Sequence, residues 1–376
     1  MAALAPALRD LGSEVVVVTP RLAGGEPREE SPGLTVYRVE PPVLADDLIV
    51  HVQQTNVALD RAAEALIAAH GPFDVIHAHD WLVALSAIGL KHRHKLPLVG
   101  TIHATERGRG RGHLQGRVSY AIADTEWWLA YEAWRVITSS HYMAAELNNY
   151  FGIPHSKIDV VPNGAETTHF DALDAFDLME FRARFADPGD QVVFSVGRLV
   201  YEKGMHLLIE AASGILAQQP GVKFVIAGTG PMYEALLTRA RELGVDRALT
   251  LVGFVSDLER NCMYKVADCA VFASLYEPFG IVALEAMASR CPLVVASTGG
   301  LAEVVKHHET GITVYPGSVE SLVYGILHVL KYPDWSYLRA MAAYRLVRER
   351  YNWQSIAEQT LGVLGKVVAE RRGTDW

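Results

Sequence analysis

Short apolar runs alternate with longer segments of helical spacing along almost the whole chain. Runs such as Val15-Val16-Val17-Val18, Val192-Val193-Phe194 and Leu293-Val294-Val295 have no polar alternation, which marks strands covered on both faces. In the first half the pattern predicts strands over Glu14–Thr19, Leu34–Val39, Phe73–His79, Leu96–His103, Trp134–Ser139 and Lys157–Pro162. In the second half it predicts Gln191–Gly197, Lys223–Gly228, Leu249–Phe254, Cys269–Leu275, Cys291–Ser297 and Gly311–Tyr315. Strand and helix in strict succession imply an α/β fold of doubly wound parallel sheets.

Between the halves, Asn163–Pro188 is polar and acidic with few strand formers, so the domain junction is expected near Asn163-Gly164. The expected domains are residues 1–165 and 166–351. After Asn352, helical spacing resumes at Trp353, Ile356, Leu361, Leu364 and Val367, and residues 352–376 can cross back onto the first domain. Packing on its own domain is the alternative. The chain opens on a helix, Ala2–Leu11, before its first strand. A doubly wound domain normally opens with a strand and a Gly-rich turn. The N-terminal sheet is therefore expected to lack its first strand, either truly or through a late start assignment, the preferred reading.

Composition narrows the class. At 376 residues, two domains are the default, and 50% hydrophobic with 20% charged residues describes a globular chain. A net charge of −9 argues against general nucleic-acid binding. Cys262, Cys269 and Cys291 show no metal or disulfide spacing, and no apolar run approaches the ~20 residues of a membrane span. A cytoplasmic enzyme is the expected class.

The candidate chemistry gathers at strand ends. The stretch Glu277-Pro-Phe279-Gly280-Ile281-Val-Ala-Leu-Glu285 takes a buried strand through a tight turn into a helix opening near Gly280. Free N–H groups at such a helix start attract anions, and the carboxylates that bracket it suit sugar hydroxyls. An ordinary strand–helix turn is the alternative. Upstream, Arg198 and Lys203 stand on one loop after a strand, a forked donor and a point charge suited to a diphosphate. A solvated basic turn is the alternative there. The turn Gly228-Thr-Gly230-Pro231 fails as a dinucleotide fingerprint, because Tyr233 stands where the third glycine belongs. The stretch Val252-Gly253-Phe254-Val255 ends a further strand, with Arg260 in the helix beyond.

Arg198 with Lys203, the Gly-Thr-Gly-Pro turn, Val-Gly-Phe-Val, and the paired glutamates around Pro-Phe-Gly resemble the retaining glycosyltransferases of family 4, also called glycosyl transferases group 1. The resemblance spans Glu14 to the C-terminus. It implies the GT-B fold: two doubly wound domains facing across a cleft, the first taking acceptor and the second a nucleoside diphosphate sugar. It implies that Arg198 and Lys203 hold the diphosphate, with N–H groups of Gly280 and Ile281. It further implies that Glu277 meets the donor sugar, Glu285 the ribose, and Val255 and Arg260 the base. Gly230 and Phe279 complete the implied donor set.

In the first domain, His103 ends a strand at the position from which the family aims a histidine at the reacting sugar. His77-Ala-His79-Asp80-Trp81 also resembles the family. His77 and His79 share a strand face, with a structural role preferred and a metal site the alternative. The Glu106-Arg-Gly-Arg-Gly-Arg-Gly-His113 segment reads as a mobile acceptor-side lid, without the aromatic interleaving of a nucleic-acid site. Trp127 and Trp128 suit a sugar platform or the core, and the core is preferred. Together these segments look most like glycogen-synthase-like members, which implies an α-glucan acceptor.

The expected activity is transfer of a hexosyl group, glucosyl first, from a UDP- or ADP-sugar to a carbohydrate, with retained configuration. No cofactor is expected. No Asp-x-Asp pair occurs, so no metal is expected either. Three rivals remain: a sugar-nucleotide epimerase, a phosphorylase, for which no pyridoxal-phosphate lysine is recognisable, and a nucleotide-sugar binding protein without turnover.

Overall fold

The computed structural model describes residues 2–21, 25–41 and 46–376. The chain divides into two compact units, residues 1–162 with 353–376, and residues 163–352.

The first unit contains β1 (Val15–Pro20), β2 (Arg28–Ser31), β3 (Leu34–Val39), β4 (Ile76–His79), β5 (Leu98–Ile102), β6 (Arg135–Thr138) and β7 (Ile158–Val160). These form two sheets, ordered β1-β3-β2 and β4-β5-β6-β7, where one doubly wound sheet is expected from sequence. The division arises because β1 and β4 are both edge strands: no described strand hydrogen-bonds to the two of them. β2 escapes a hydrophobicity reading. Its residues Arg-Glu-Glu-Ser are all polar and exposed, and it is held by antiparallel pairing to β3.

In the four-stranded sheet, successive residues separate two cores. Leu98, Ile102 and Val136 join Ala87, Leu129 and Leu147 on one side. Val99 and Ile137 join Leu4, Leu8, Ile356, Ala357 and Val367 on the other. The C-terminal helix Trp353–Arg372 is thus part of this unit, and Trp134 Nε1 donates to Glu370 Oε2 at 2.8 Å.

The second unit is one parallel sheet of β8 (Gln191–Val196), β9 (Val222–Ala227), β10 (Leu249–Gly253), β11 (Cys269–Phe272), β12 (Leu293–Ala296) and β13 (Ile312–Val314). Alternation divides its faces cleanly. Val192, Phe194, Val225, Ala227, Ala270 and Phe272 lie in one core, and Val193, Phe224, Ile226, Cys269, Val271 and Val294 in the other. Both faces are apolar and helix-covered, as a parallel sheet requires.

The strand order is β10-β9-β8-β11-β12-β13. From β8 the chain builds outward through β9 to β10, then returns to the other side of β8 for β11, β12 and β13. The winding direction reverses between β8 and β11. The carboxyl ends of two such strands are the place where doubly wound sheets take ligands.

Among the described residues no helix is long and apolar enough to cross a membrane.

Candidate functional site

The loops after β8 and β11 converge at that reversal. Leu275 N–H donates to the Glu202 carbonyl at 2.8 Å, fastening one loop to the other. Gly204 sits between them with φ +68°, and a Cβ there would stand 2.0 Å from the Ala273 carbonyl oxygen. Only glycine meets both demands, the left-handed backbone and the close approach.

This fastening places Lys203 against Glu277. Lys203 Nζ lies 2.7 Å from Glu277 Oε2, and the glutamate is buried. Ser274 Oγ donates to the same oxygen at 3.1 Å. The Glu277 carbonyl accepts from Gly300 N–H at 2.9 Å, so the loop after β12 also closes on this turn. Phe279 is buried beneath it, and Gly280 takes φ +101° to start the helix Ile281–Ala288. A helix start leaves N–H groups without an intrahelical acceptor, here from Gly280 onward beside Lys203's partner. Ile281 itself is exposed.

Arg198 is placed differently. It lies on the same loop as Lys203, but its side chain is 67% exposed and among the described residues reaches only Glu202, at 3.6 Å. Lys203 and Glu277 are preassembled, whereas Arg198 stands in solvent with its guanidinium available. Gly230 packs on the β8 loop from the β9 side, where a Cβ would come 2.4 Å from the Leu199 carbonyl oxygen.

About one turn along the helix, Glu285 forms a second cluster. Arg260 Nη2 is 3.6 Å from Glu285 Oε1, and Tyr264 Oη donates to Glu285 Oε2 at 3.3 Å. Arg260 also holds Asp257 at 2.9 Å. A capping box of Ser256 and Glu259 begins the helix Asp257–Val266 that carries both Arg260 and Tyr264. Burial raises the pKa of Glu285, and the Arg260 charge and the Tyr264 hydroxyl oppose that rise. Burial also raises the pKa of Tyr264 well above that of a free phenol. Val255, just before the cap, is half-buried against the core of this unit.

The second unit therefore assembles Lys203, Glu277, Gly280, Ile281, Glu285 and Arg260 along one helix start and its neighbours. Sequence reasoning missed Ser274, Tyr264 and the helix start at Gly299-Gly300. The last left a signal, a glycine pair two residues after an apolar strand. Ser274 and Tyr264 left none, because each acts through a tertiary contact.

In the first unit, His103 lies just past β5. Its backbone N–H donates to Asp80 Oδ1 at 2.8 Å, and its Nε2 is 3.1 Å from His79 Nδ1. His77 Nε2 bonds Thr101 Oγ1 at 2.7 Å. Burial pushes the His77 pKa down to about 4, and pushes that of His79 further still. Both are neutral imidazoles. Among the described residues no group of three or more His, Cys, Asp or Glu side chains could hold a metal ion.

Two segments of this unit have local structure that composition does not show. The basic segment after Thr105 begins as a helix, Glu106–Arg109, whose N-terminus is capped by the Thr105 hydroxyl accepting from Gly108 N–H. Gly112 and His113 N–H groups then close tight turns on Arg107 and Gly110 carbonyls. The segment is internally hydrogen-bonded, not an open loop. Trp127 and Trp128 are not core either. They are 42% and 41% exposed, and Trp127 stacks on Tyr131 with centroids 5.2 Å apart. The helix Gly116–Glu132 buries Ile122, Ala123, Glu126, Leu129 and Ala130, which turns both indoles outward.

Comparison with known proteins adds the family. Residues 1–169 match the model described as Glycosyltransferase Family 4, and residues 179–345 that described as Glycosyl transferases group 1. An uncharacterized glycosyltransferase of Methanocaldococcus jannaschii is 38% identical over 98% of this chain and 94% of its own. Glycogen synthase of Mycobacterium tuberculosis is 38% identical over 80% of this chain and 70% of its own. Among solved structures, sucrose-phosphate synthase from Thermosynechococcus elongatus superposes with a TM-score of 0.82 at 24% identity, covering 98% of this chain and 92% of that one. The two units with their parallel sheets have the GT-B architecture.

Proposed function

The chain belongs to the glycosyl transferases group 1 family, and on that premise we propose that it is a retaining hexosyltransferase, moving glucose from a nucleoside diphosphate sugar to a carbohydrate hydroxyl. One observation carries this reading: Lys203, Glu277 and the helix start at Gly280 meet at the winding reversal between β8 and β11. The diphosphate is assigned to Lys203, Arg198 and the N–H groups of Gly280 and Ile281, where three positive ends answer its charge. Glu277 is assigned to the sugar hydroxyls, Glu285 to the ribose, and Val255 with Arg260 to the base. Gly230 and Phe279 shape the turns around them. His103 is assigned to the reacting sugar on the strength of the resemblance.

The bond from the anomeric carbon to the phosphate oxygen breaks while the acceptor oxygen bonds that carbon. The departing phosphate oxygen takes the acceptor's proton on the same face, which preserves configuration. No side-chain nucleophile enters, and the protein's part is positioning and stabilisation of the leaving charge. Lys203 and Arg198 supply the cationic charge, so no metal is required in this reading. An α-glucan is the proposed acceptor, supported by the likeness to glycogen synthase.

The test is incubation with UDP- or ADP-glucose and a malto-oligosaccharide, with and without chelator, reading nucleoside diphosphate release and the anomeric configuration of the product. An α-linked, elongated product formed in chelator is expected. Donor turnover to an epimer without acceptor, or donor binding with no transfer, would overturn the reading.

A further inference from the structure

His79 is more than a neighbour of His103. Its ring is part-buried with Nε2 shut off from solvent, Nδ1 lies 3.1 Å from His103 Nε2, and Nε2 has no hydrogen-bond partner among the described residues. The two rings stack with centroids 5.4 Å apart and planes 17° apart, so the contact is fixed in orientation as well as distance. A neutral imidazole carries one proton, on one nitrogen or the other. A proton on His79 Nε2 would be a buried donor without an acceptor, and Nδ1 would then have to accept from His103. A proton on Nδ1 is satisfied by His103 Nε2 and leaves only a bare lone pair buried. Orphaned buried N–H donors are rarer in folded proteins than under-satisfied acceptors, which favours the second arrangement.

The consequence passes to His103. Its Nε2 must accept, so its own proton is placed on Nδ1, which has no hydrogen-bond partner among the described residues. We propose that His79 is a positioning residue that sets the tautomer of His103, so that Nδ1–H is the group His103 offers to a ligand oxygen. Asp80 completes the support from the other side. It accepts the His103 backbone N–H at 2.8 Å while holding a left-handed φ of +62°, a conformation an aspartate keeps only where surrounding contacts enforce it. His77 lies behind, tied to Thr101, with its centroid 4.3 Å from that of His79. Burial holds His79 neutral, which keeps one nitrogen bare and the choice of tautomer meaningful.

The role of His103 in transfer rests on the function proposed above, but the tautomer does not. The test is heteronuclear NMR of the full-length protein with ring-nitrogen-labelled histidine, assigned with His79→Ala and His103→Ala variants, near neutral pH and without substrate. His79 and His103 are both expected with protons on Nδ1, the minority form of a free histidine. In His79→Ala, His103 is expected to revert to the Nε2 proton and transfer to fall at least ~10-fold. His79→Asn, whose amide N–H can stand in for Nδ1–H, is expected to keep the tautomer and most of the rate. A proton on Nε2 of either ring in the wild-type protein overturns the inference, and can be read even if His79→Ala does not fold. A His103 tautomer that changes while transfer does not would uphold the tautomer and remove His103 from the proposed chemistry.

Discussion

Replacing Lys203 by alanine tests the assignment at the winding reversal most directly. Two effects follow and are separable. Glu277 is buried, with Lys203 Nζ at 2.7 Å and Ser274 Oγ at 3.1 Å as its partners. Removing the ammonium leaves a buried carboxylate with one neutral donor, a loss of about 1–3 kcal/mol. For a domain of this size each kcal/mol lowers Tm by roughly 2–4 °C. The second effect is catalytic: loss of one preorganised charge facing a developing phosphate charge lowers turnover by about 10²–10³-fold. A double variant separates them. Lys203→Ala with Glu277→Gln makes the buried group neutral and should recover much of the stability while transfer remains lost. The assays are thermal unfolding and nucleoside diphosphate release under saturating donor. If folded Lys203→Ala keeps more than a tenth of the wild-type kcat, Lys203 does not serve the leaving group and the diphosphate assignment falls.

Three other outcomes can be checked. Glu285→Ala should raise the donor KM several-fold while changing kcat little, because Glu285 is assigned to the ribose; a pure turnover defect would contradict that role. Gly204→Ala should lower Tm sharply by several degrees, since its Cβ would stand 2.0 Å from the Ala273 carbonyl at a left-handed φ; an unchanged melting curve would mean the two loops are not fastened there. Glu126 gives a pH dependence: burial pushes its carboxyl up to about 8, against an opposing backbone N–H from Glu106 and the Arg109 charge. The folded pKa lies above the unfolded value, so this group's contribution is complete below about 4.5 and is lost as pH rises towards about 8. The Tm of wild type relative to Glu126→Gln should therefore fall by several degrees across that window. A flat difference would show that Glu126 ionises normally.

The strand pattern was the most legible layer of this chain. Each of the twelve predicted runs became a strand, and the signature is plainest where burial on both faces leaves a continuous apolar run, as in β11 and β12. β2 was lost for the opposite reason: Arg28-Glu29-Glu30-Ser31 is strand only through its pairing with β3. The loops carrying Lys203 and Glu277 were legible as chemistry, from cations and carboxylates at strand ends. Their direct contact was not, since it depends on β8 and β11 being neighbours although more than seventy residues apart. Trp127 and Trp128 show the limit of residue type as a guide. An indole pair reads as core by composition, yet the helix phase set by Ile122, Glu126 and Leu129 turns it outward. The caps that Thr105 and Glu126 give the basic Gly-rich segment are equally invisible to composition.

The helix Trp353–Arg372 completes a core begun by Leu4 and Leu8, so residues 163–352 are in effect inserted into the middle of the other unit. During synthesis the inserted body can close once residue 352 is clear of the ribosome. Its host must wait for the following segment, keeping one flank of Val99 and Ile137 open to water until then. The later-made body is thus the first able to finish, and the earlier-made one carries the period of greatest exposure to chaperones and to aggregation.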